Sequence, residues 1–276
     1  MHNIKFLRAL VLPILKIIDR DITIKHHWTG DPITLSLFAH KGYWFHGKER
    51  ESFEMSTIQS LLSPGDIVAE VGGHVGYLSL HFAQCVQAST DGRVFVFEPG
   101  INNLPYLRKN LSGKEGVEII EAGCGETNGK LNFYMDDLTG QNNSFVQDFE
   151  GLEKNSKFAP GVKVTVSSLP VEVLRLDSFF SDKQKPDFIK IDTEGFELSV
   201  LKGCSGLFDG ISLPIFMIEV QTDQDIIFDI FSKAGYRVFN RYKNEVDSPG
   251  KMRESLYFFA FHQAAHQEKL QQWLDA

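Results

Sequence analysis

From about residue 66 onward, short apolar runs alternate with segments whose apolar residues recur every three or four positions. The runs have the length and the β-branched content of buried strands, whereas the recurring spacing is typical of amphipathic helices. This alternation predicts an α/β fold with a doubly wound, mostly parallel, seven-stranded Rossmann-like sheet. The predicted strands are Ile67–Val71, Val94–Phe97, Val117–Ala122, Asp187–Ile191, Ile215–Val220, Tyr236–Asn240 and Leu256–Phe261, and the predicted helices are Val75–Gln87, Ile101–Leu111, Phe196–Lys202 and Asp223–Ala234.

Two places depart from this alternation. No helix separates Tyr236–Asn240 from Leu256–Phe261, and the polar loop between them is too short for a parallel crossover, so we expect the last strand to be antiparallel. Between residues 130 and 170, the strand-like pieces Lys130–Met135 and Val162–Ser167 enclose a polar stretch, Asp136–Pro160. We interpret this stretch as a loop that covers the site.

The first 48 residues have a different pattern. Ile22–Lys25 and Ile33–Phe38 flank the turn signal Thr29-Gly30-Asp31-Pro32, and the aromatic stretch Gly42–Gly47 follows. These features predict a strand-rich N-terminal cap over residues 1–48. The helical pattern of Glu49–Leu62 then begins the main domain, residues 49–276.

Residues 4–18 are apolar but contain lysine and arginine, and they are too few to span a bilayer. Their apolar positions lie at helical spacing and predict one face of a helix: Ile4, Leu7, Val11, Ile14 and Ile18. Either this face packs on the domain, or residues 4–18 make peripheral contact with a membrane surface.

Charge and cysteine content narrow the function. The chain has 276 residues with 28 basic and 36 acidic side chains, so its net charge is 28 − 36 = −8. This charge argues against a nucleic-acid partner held through its phosphates. Three cysteines without a CxxC pair argue against disulfides or structural zinc and favour a reducing, cytoplasmic location.

The segment Glu70-Val71-Gly72-Gly73-His74-Val75-Gly76 lies where the first core strand turns into a helix. Glycines permit a tight turn there and let a ligand approach the backbone. The glycine spacing does not match the dinucleotide fingerprint, because Val71 falls on its first glycine. An acid followed by Gly72 and Gly76 fits a ligand that carries an ammonium and a sulfonium, as S-adenosylmethionine does, better than a pyrophosphate.

Acids also end the following strands. Glu98 lies 22 residues after Gly76, near the spacing of a ribose-binding acid in such folds. The string Lys190-Ile191-Asp192-Thr193-Glu194-Gly195-Phe196-Glu197 brings further carboxylates to the same sheet edge, with Lys190 as their expected partner. Glu194 and Glu197 are alternatively caps of the following helix. Because His74 is the one histidine expected nearby, no metal site is predicted.

Together these stretches resemble the FkbM family of S-adenosylmethionine-dependent methyltransferases, over about residues 49–240. The resemblance rests on DIVAEVGGHVGYLSL (66–80), VFVFEPGINNLPYLRKNL (94–111), VEIIEAGCGETNGKLNF (117–133), DFIKIDTEGFELSVLKG (187–203) and FMIEV (216–220). It implies a class I methyltransferase fold, S-adenosylmethionine as donor, and O-methylation of a sugar, glycan or natural-product hydroxyl. Glu70 stands where the family usually has Asp, and His74 where it typically has Asn.

The resemblance also assigns roles to residues. Glu70, Gly72, Gly73 and Gly76 would hold the methionine part of the donor, and Glu98 its ribose. Ala122 and Gly123, with Cys124 as a packing residue, would flank the adenine. Asp192 would either remove the acceptor proton or hold the donor's amino group, and His74 is the second candidate base. Independently of the resemblance, the aromatic and polar rings of Tyr43, Trp44, Phe45, His46 and Tyr134 either stack on a sugar ring of the acceptor or belong to the core of the N-terminal cap.

Two other functions stay open at this point. A nicotinamide-dependent oxidoreductase would use a similar fold, although the glycine spacing argues against it. A non-catalytic module that binds S-adenosylmethionine would keep the fold and the donor residues without the reaction.

Overall fold

A computed structural model of the chain describes residues 11–147, 149, 164–210 and 212–276. The strands are numbered along the chain as β1 (Asp21–Lys25), β2 (Pro32–Ser36), β3 (Ile67–Val71), β4 (Arg93–Phe97), β5 (Val117–Ile120), β6 (Gly123–Cys124), β7 (Gly129–Asp136), β8 (Val166–Leu174), β9 (Phe188–Ile191), β10 (Ile215–Glu219), β11 (Tyr236–Asn240), β12 (Glu245–Val246) and β13 (Tyr257–His262).

Helices connect most of these strands. They are α1 (residues 11–17), α2 (Lys41–His46), α3 (Ser52–Leu61), α4 (Tyr77–Val86), α5 (Leu104–Asn110), α6 (Leu176–Phe179), α7 (Glu197–Lys202), α8 (Gln224–Lys233) and α9 (Gln267–Asp275). Short 3-10 turns cover Gly47–Glu49, Ser205–Leu207 and Pro249–Glu254.

Within the described residues, eight strands form the main sheet in the order β12-β11-β13-β10-β9-β3-β4-β5. Strands β10, β9, β3, β4 and β5 are parallel, whereas β13 is antiparallel to both of its neighbours. The doubly wound α/β fold and the antiparallel last strand are therefore confirmed. The sheet has one strand more than the seven expected, because Glu245–Val246 pairs with β11 at the edge. Two residues are too few to give a periodic signal.

Side chains alternate between two cores, one on each face of the main sheet. Val68 and Val96 belong to the core under α3, α4, α5 and α9, whereas Ala69 and Val71 belong to the opposite core, under α6, α7 and α8. This alternation along a strand is the period-2 geometry of a sheet covered on both faces. It leaves the carboxyl ends of the parallel strands open for a site.

A smaller sheet with the order β6-β8-β7 follows β5. Of the strand expected at Val162–Ser167, positions 162 and 163 lie outside the described residues; positions 164 and 165 precede β8, which runs from Val166 to Leu174 and extends beyond the expected end. Pro170, which disfavours a strand in a sequence pattern, pairs with Asn132 of β7, while β6 reaches only positions 173 and 174 of β8. Of the loop expected at Asp136–Pro160, position 148 and positions 150–160 lie outside the described residues.

The N-terminal region forms an antiparallel hairpin of β1 and β2, as expected. Gly42–Gly47 is not part of a strand-rich cap, because residues 41–46 form α2. Aromatic content favours strands, but tertiary contacts override this preference here, since Trp44 Nε1 donates to the Leu37 carbonyl. The division into residues 1–48 and 49–276 stays a prediction. Ile33 and Leu35 of the hairpin share one core cluster with the helices of the main sheet.

Helix α1 packs through a different face from the one predicted. Leu12 and Leu15 contact the cluster of Phe38 and Leu138, whereas Val11, Ile14 and Ile18 of the predicted face are exposed. Residues 4–10 of the expected helix lie outside the described residues. Among the described helices, none is long and apolar enough to cross a membrane.

Candidate active site

Two adjoining cavities lie at the carboxyl ends of β3, β4, β9 and β10. The first is lined by residues that follow β4, β5, β7 and β9, among them Glu98, Asn103, Gly123 and Phe145. The second, of about 210 Å³, extends from Glu70 toward β10, β13 and the turn before α3. Residues common to both linings mark where the cavities meet: Gly72, His74, Gln141, Asp192 and Glu194.

Close packing requires glycine at positions 72 and 73. Gly72 has a φ of +89°, and a Cβ there would lie 2.0 Å from the carbonyl oxygen of Asp192. A Cβ on Gly73 would lie 2.3 Å from Val96 Cγ1. Gly76 also has a positive φ, but it precedes α4 and packs against Leu107 and Leu111. Gly76 therefore shapes the turn without lining either cavity.

Glu70 lies at the inner end of the second cavity and is 1% exposed. It accepts a hydrogen bond of 2.5 Å from Ser79 Oγ, and its register partner on β9 is Lys190. Burial raises the pKa of Glu70 to about 7, although Lys190 and Ser79 act in the opposite direction. The carboxyl is thus poised between its two protonation states near neutral pH.

Glu98 ends β4 and organises the turn around the first cavity. Its Oε1 accepts from the Gly100 N–H at 2.8 Å and from Asn103 Nδ2 at 3.2 Å, and its Oε2 accepts from the His74 N–H at 2.8 Å. Burial raises its pKa to about 6, against the effect of these donors. A carboxylate has about four acceptor positions, so roughly one remains, on Oε2. Glu98 therefore has room for one ribose hydroxyl rather than both.

The imidazole of His74 is held at both nitrogens. Nε2 lies 3.3 Å from the carbonyl oxygen of Thr139, which only accepts, so Nε2 carries the proton. Nδ1 then accepts from the Tyr43 hydroxyl at 3.1 Å. Burial and the nearby His40 lower the pKa of His74 well below its usual value. The ring is therefore neutral and ties the loop after β7 to the glycine turn.

Asp192 follows β9 and lines both cavities. Its backbone N–H donates to Val71 at 3.1 Å, and its Oδ2 lies 3.3 Å from Lys190 Nζ. Lys190 is the expected structural partner, since its ammonium also donates to the Gly72 carbonyl at 2.8 Å. Lys190 is 4% exposed at its side chain, compared with 26% for Asp192. The Lys190 ammonium is therefore buried against the glycine turn, whereas the Asp192 carboxylate faces the cavities.

The two glutamates after Asp192 have different roles. Glu197 Oε1 accepts from the backbone N–H groups of Thr193 and Gly195, so this residue closes the turn before α7, as in the capping interpretation. Glu194 lines both cavities instead, and its Oε2 accepts from Gln221 Nε2 at 2.8 Å. Burial and the neighbouring Asp192 raise the pKa of Glu194.

Glu219 ends β10, next to β9, and lies beside Asp192. Both line the second cavity, and Gln221 Nε2 also donates to Glu219 Oε1 at 3.2 Å. Burial and the charge of Asp192 raise the pKa of Glu219. In the part of the chain that the structure covers, no group of three or more His, Cys, Asp or Glu side chains has an arrangement that could hold a metal ion.

The remaining candidates divide between the cavities and the core. Gly123 and Cys124 line the first cavity, and burial raises the pKa of the Cys124 thiol well above its usual value, which fits a packing role. Ala122 is buried beside them without lining the cavity. Of the aromatic acceptor candidates, Tyr43 lines the second cavity, whereas Phe45 is 73% exposed. Trp44, His46 and Tyr134 line neither cavity.

Several residues that line the cavities were not predicted from the sequence patterns. They are Arg50, Glu51, Glu54, Asn103, Gln141 and Tyr257. Glu219 and Tyr257 face each other only through the antiparallel pairing of β10 with β13.

Comparison with known proteins identifies the family of the chain. The sequence profile described as "Methyltransferase FkbM domain" matches residues 70–238, which include Glu70, Glu98, Asp192 and Glu219. The chain belongs to the FkbM methyltransferase family.

The chain is similar in sequence to the hexuronic acid methyltransferase AglP of Haloferax volcanii. It is 25% identical over 187 residues, which are 66% of this chain and 69% of that protein. Methyltransferase 1 of Beauveria bassiana is 24% identical over 147 residues, which are 49% of this chain and 57% of that protein. A solved S-adenosylmethionine-dependent O-methyltransferase from Thermotoga maritima has a TM-score of 0.41 at 13% identity, covering 77% of this chain and 63% of that one.

The donor of the FkbM family is S-adenosylmethionine, and the cavity residues fit it. The first cavity offers the carboxyl of Glu98 and the ring of Phe145, which packs directly on the backbone of Gly123, and an acid beside an aromatic ring suits a nucleoside. The meeting point of the cavities is lined by Asp192 and Glu194, which suit a cationic sulfonium.

Proposed function

We propose that this methyltransferase transfers the methyl group to a hydroxyl of a neutral, polyhydroxylated acceptor, such as a sugar, a glycan or a hydroxylated natural product. The acidic lining of the second cavity supports this proposal most directly, because each carboxyl that is ionised there repels an anionic acceptor. Of the described residues that line it, two are cationic, Arg50 and Lys190, and six are acidic: Glu51, Glu54, Glu70, Asp192, Glu194 and Glu219. The name of the relative AglP, a hexuronic acid methyltransferase, is compatible with a sugar acceptor.

The acidic lining of the second cavity favours a neutral acceptor over an anionic one. A carboxylate acceptor about 5 Å from one ionised carboxylate meets a repulsion of roughly 3 kcal/mol at an effective dielectric constant of about 20. A hydroxyl avoids this repulsion, and its proton finds acceptors in the same carboxylates. We therefore place an ether-forming reaction above ester formation on an acidic sugar.

In this proposal, Asp192 accepts the acceptor's proton. When bound, the donor supplies a methyl group on a sulfonium sulfur, and a lone pair of the hydroxyl oxygen takes that group as the C–S bond breaks. The hydroxyl proton passes to Asp192, which is the carboxylate lining both cavities and paired with a lysine. His74 acts as a positioning residue, because its Nδ1 already accepts from Tyr43.

A labelling experiment tests the acceptor class. Purified protein is incubated with S-adenosylmethionine carrying a labelled methyl group and with matched pairs of neutral sugars and hexuronic acids. We expect label in the neutral sugars, in a form that resists mild alkali, because methyl ethers survive conditions that hydrolyse methyl esters. Label restricted to hexuronic acids and released by alkali would contradict the proposal.

The Asp192→Asn variant tests the proton acceptor. The amide keeps the size of the side chain but removes its basicity, so we expect kcat to fall by roughly 100- to 10,000-fold. Affinity for S-adenosylhomocysteine, measured by calorimetry, should change far less. Asp225→Asn, at an exposed position on α8, is the matched control and should behave as the wild type.

The outcomes separate the competing roles. If Asp192→Asn loses donor affinity and keeps kcat, Asp192 holds the donor's amino group instead. If the wild type binds S-adenosylhomocysteine but labels no hydroxylated acceptor in either class, the non-catalytic binding module gains support. Family membership already favours a methyltransferase over a nicotinamide-dependent oxidoreductase.

A further inference from the structure

The methionine end of the donor carries two opposite charges, an α-ammonium and an α-carboxylate. Burying either without a partner is costly, so the site must offer hydrogen-bond donors as well as anions. The acids of the second cavity suit the ammonium. The same acids repel the carboxylate, and a cation offsets this repulsion better than neutral backbone N–H groups do.

Two cations line this cavity in the described part of the chain, Arg50 and Lys190. Lys190 is 4% exposed at its side chain, and its ammonium is engaged by the Gly72 carbonyl at 2.8 Å and by Asp192 at 3.3 Å. These contacts are part of the β3–β9 junction itself. The Lys190 ammonium is thus already paired with the glycine turn and with Asp192. Arg50 is the remaining cation among the described lining residues that can bind a carboxylate in the cavity.

Arg50 is held in a defined position by Tyr43 and Glu51. Its guanidinium carbon lies over the Tyr43 ring, 4.1 Å from the ring centre, and its side chain is 21% exposed. Glu51 Oε1 lies 3.2 Å from its Nε, yet this buried Nε makes no hydrogen bond to any described residue. A Cβ at position 42 would lie 2.4 Å from Arg50 Nη1, so Gly42 provides the space for the planar group.

We infer that Arg50 binds the α-carboxylate of the donor. A planar guanidinium stacked on an aromatic ring is preorganised for a carboxylate, which it contacts through two parallel N–H groups. The Arg50–Glu51 pair then links donor binding to the start of α3. This inference rests on the donor of the family and does not depend on the acceptor proposed above.

Calorimetry with two ligands tests the assignment. S-adenosylhomocysteine carries the carboxylate, and its decarboxylated analogue, S-adenosyl-3-thiopropylamine, keeps the ammonium but lacks the carboxylate. We expect Arg50→Gln to weaken S-adenosylhomocysteine binding by roughly 10- to 100-fold. It should leave the affinity for the decarboxylated analogue within about twofold, since that ligand has no group for Arg50.

Two further variants keep the test decisive. Arg50→Lys retains the charge but loses the planar guanidinium. We therefore expect a smaller loss of S-adenosylhomocysteine affinity, again without an effect on the decarboxylated analogue. This variant replaces Arg50→Gln in the test if Arg50→Gln fails to fold. Arg253→Gln removes an exposed arginine paired with Asp225 and should change neither affinity.

Equal losses for both ligands would overturn the inference, since they would show a structural role. It would likewise be overturned by unchanged S-adenosylhomocysteine affinity with a raised acceptor KM, because Arg50 would then bind the acceptor. Neither result bears on the alkali test of the acceptor class, so the two proposals fail separately.

Discussion

Replacing Gly72 by alanine isolates the close contact at the centre of the site. The new Cβ would lie 2.0 Å from the carbonyl oxygen of Asp192, whereas real Cβ atoms essentially never approach within 3.0 Å. The ends of β3 and β9 must therefore separate by about 3.0 − 2.0 = 1.0 Å. This movement stretches the hydrogen bond from the Asp192 N–H to Val71 and displaces the carboxylate that lines both cavities.

The expected cost has two parts that a matched variant separates. Gly113 also has a positive φ, of +75°, but has no heavy atom within 4 Å of a Cβ, so Gly113→Ala measures the backbone strain alone. That strain is roughly 1–2 kcal/mol. Overpacking at Gly72 adds roughly 1–3 kcal/mol, so Gly72→Ala should cost roughly 2–5 kcal/mol of unfolding free energy.

Urea unfolding measures the free energy, and calorimetry with S-adenosylhomocysteine measures donor binding in the same two variants. Gly113→Ala should keep wild-type donor affinity, whereas Gly72→Ala should lose at least tenfold, because it moves the turn and Asp192 together. A Gly72→Ala protein that matched Gly113→Ala in both stability and donor affinity would refute the close-contact argument.

Two other predictions concern the buried acids. Glu98→Ala should weaken S-adenosylhomocysteine binding by roughly 1–3 kcal/mol, since it removes the carboxylate oxygen Oε2 that still has a free hydrogen-bonding position. Unchanged affinity on calorimetry would contradict the ribose-binding role of Glu98. Glu70 has a folded pKa of about 7 against an ordinary 4.5, so the folded state retains its proton longer than the unfolded chain does. Raising the pH from about 4.5 to 7 should therefore lower the unfolding free energy of the wild type, by up to roughly 3 kcal/mol more than that of Glu70→Gln. Urea titrations at each pH measure both free energies. Parallel pH profiles of the two proteins would contradict the raised pKa of Glu70.

The sequence determined the fold class because each main element carries its own local signal. Buried strands such as β3 and β9 read as apolar runs, and their acids Glu70 and Asp192 stand at or just beyond the strand ends. Parallel strands bring these ends to one edge, so the carboxylates met where the spacing predicted. The two-residue strand β12 and the helix α2 gave no such signal, since one is too short and the other contradicts its aromatic composition.

Tertiary structure alone decided which charges face each other. Glu194 and Glu197 are three residues apart, yet Glu194 lines the cavities and Glu197 closes a turn. The backbone of Glu194 is left-handed, with a φ of +55°, which the spacing of the two acids does not predict. Arg50 and Tyr257 reach the same cavity from segments that are 207 positions apart (257 − 50). Spacing along the chain fixes local backbone geometry, but the partner of a charged group depends on which distant segments pack beside it.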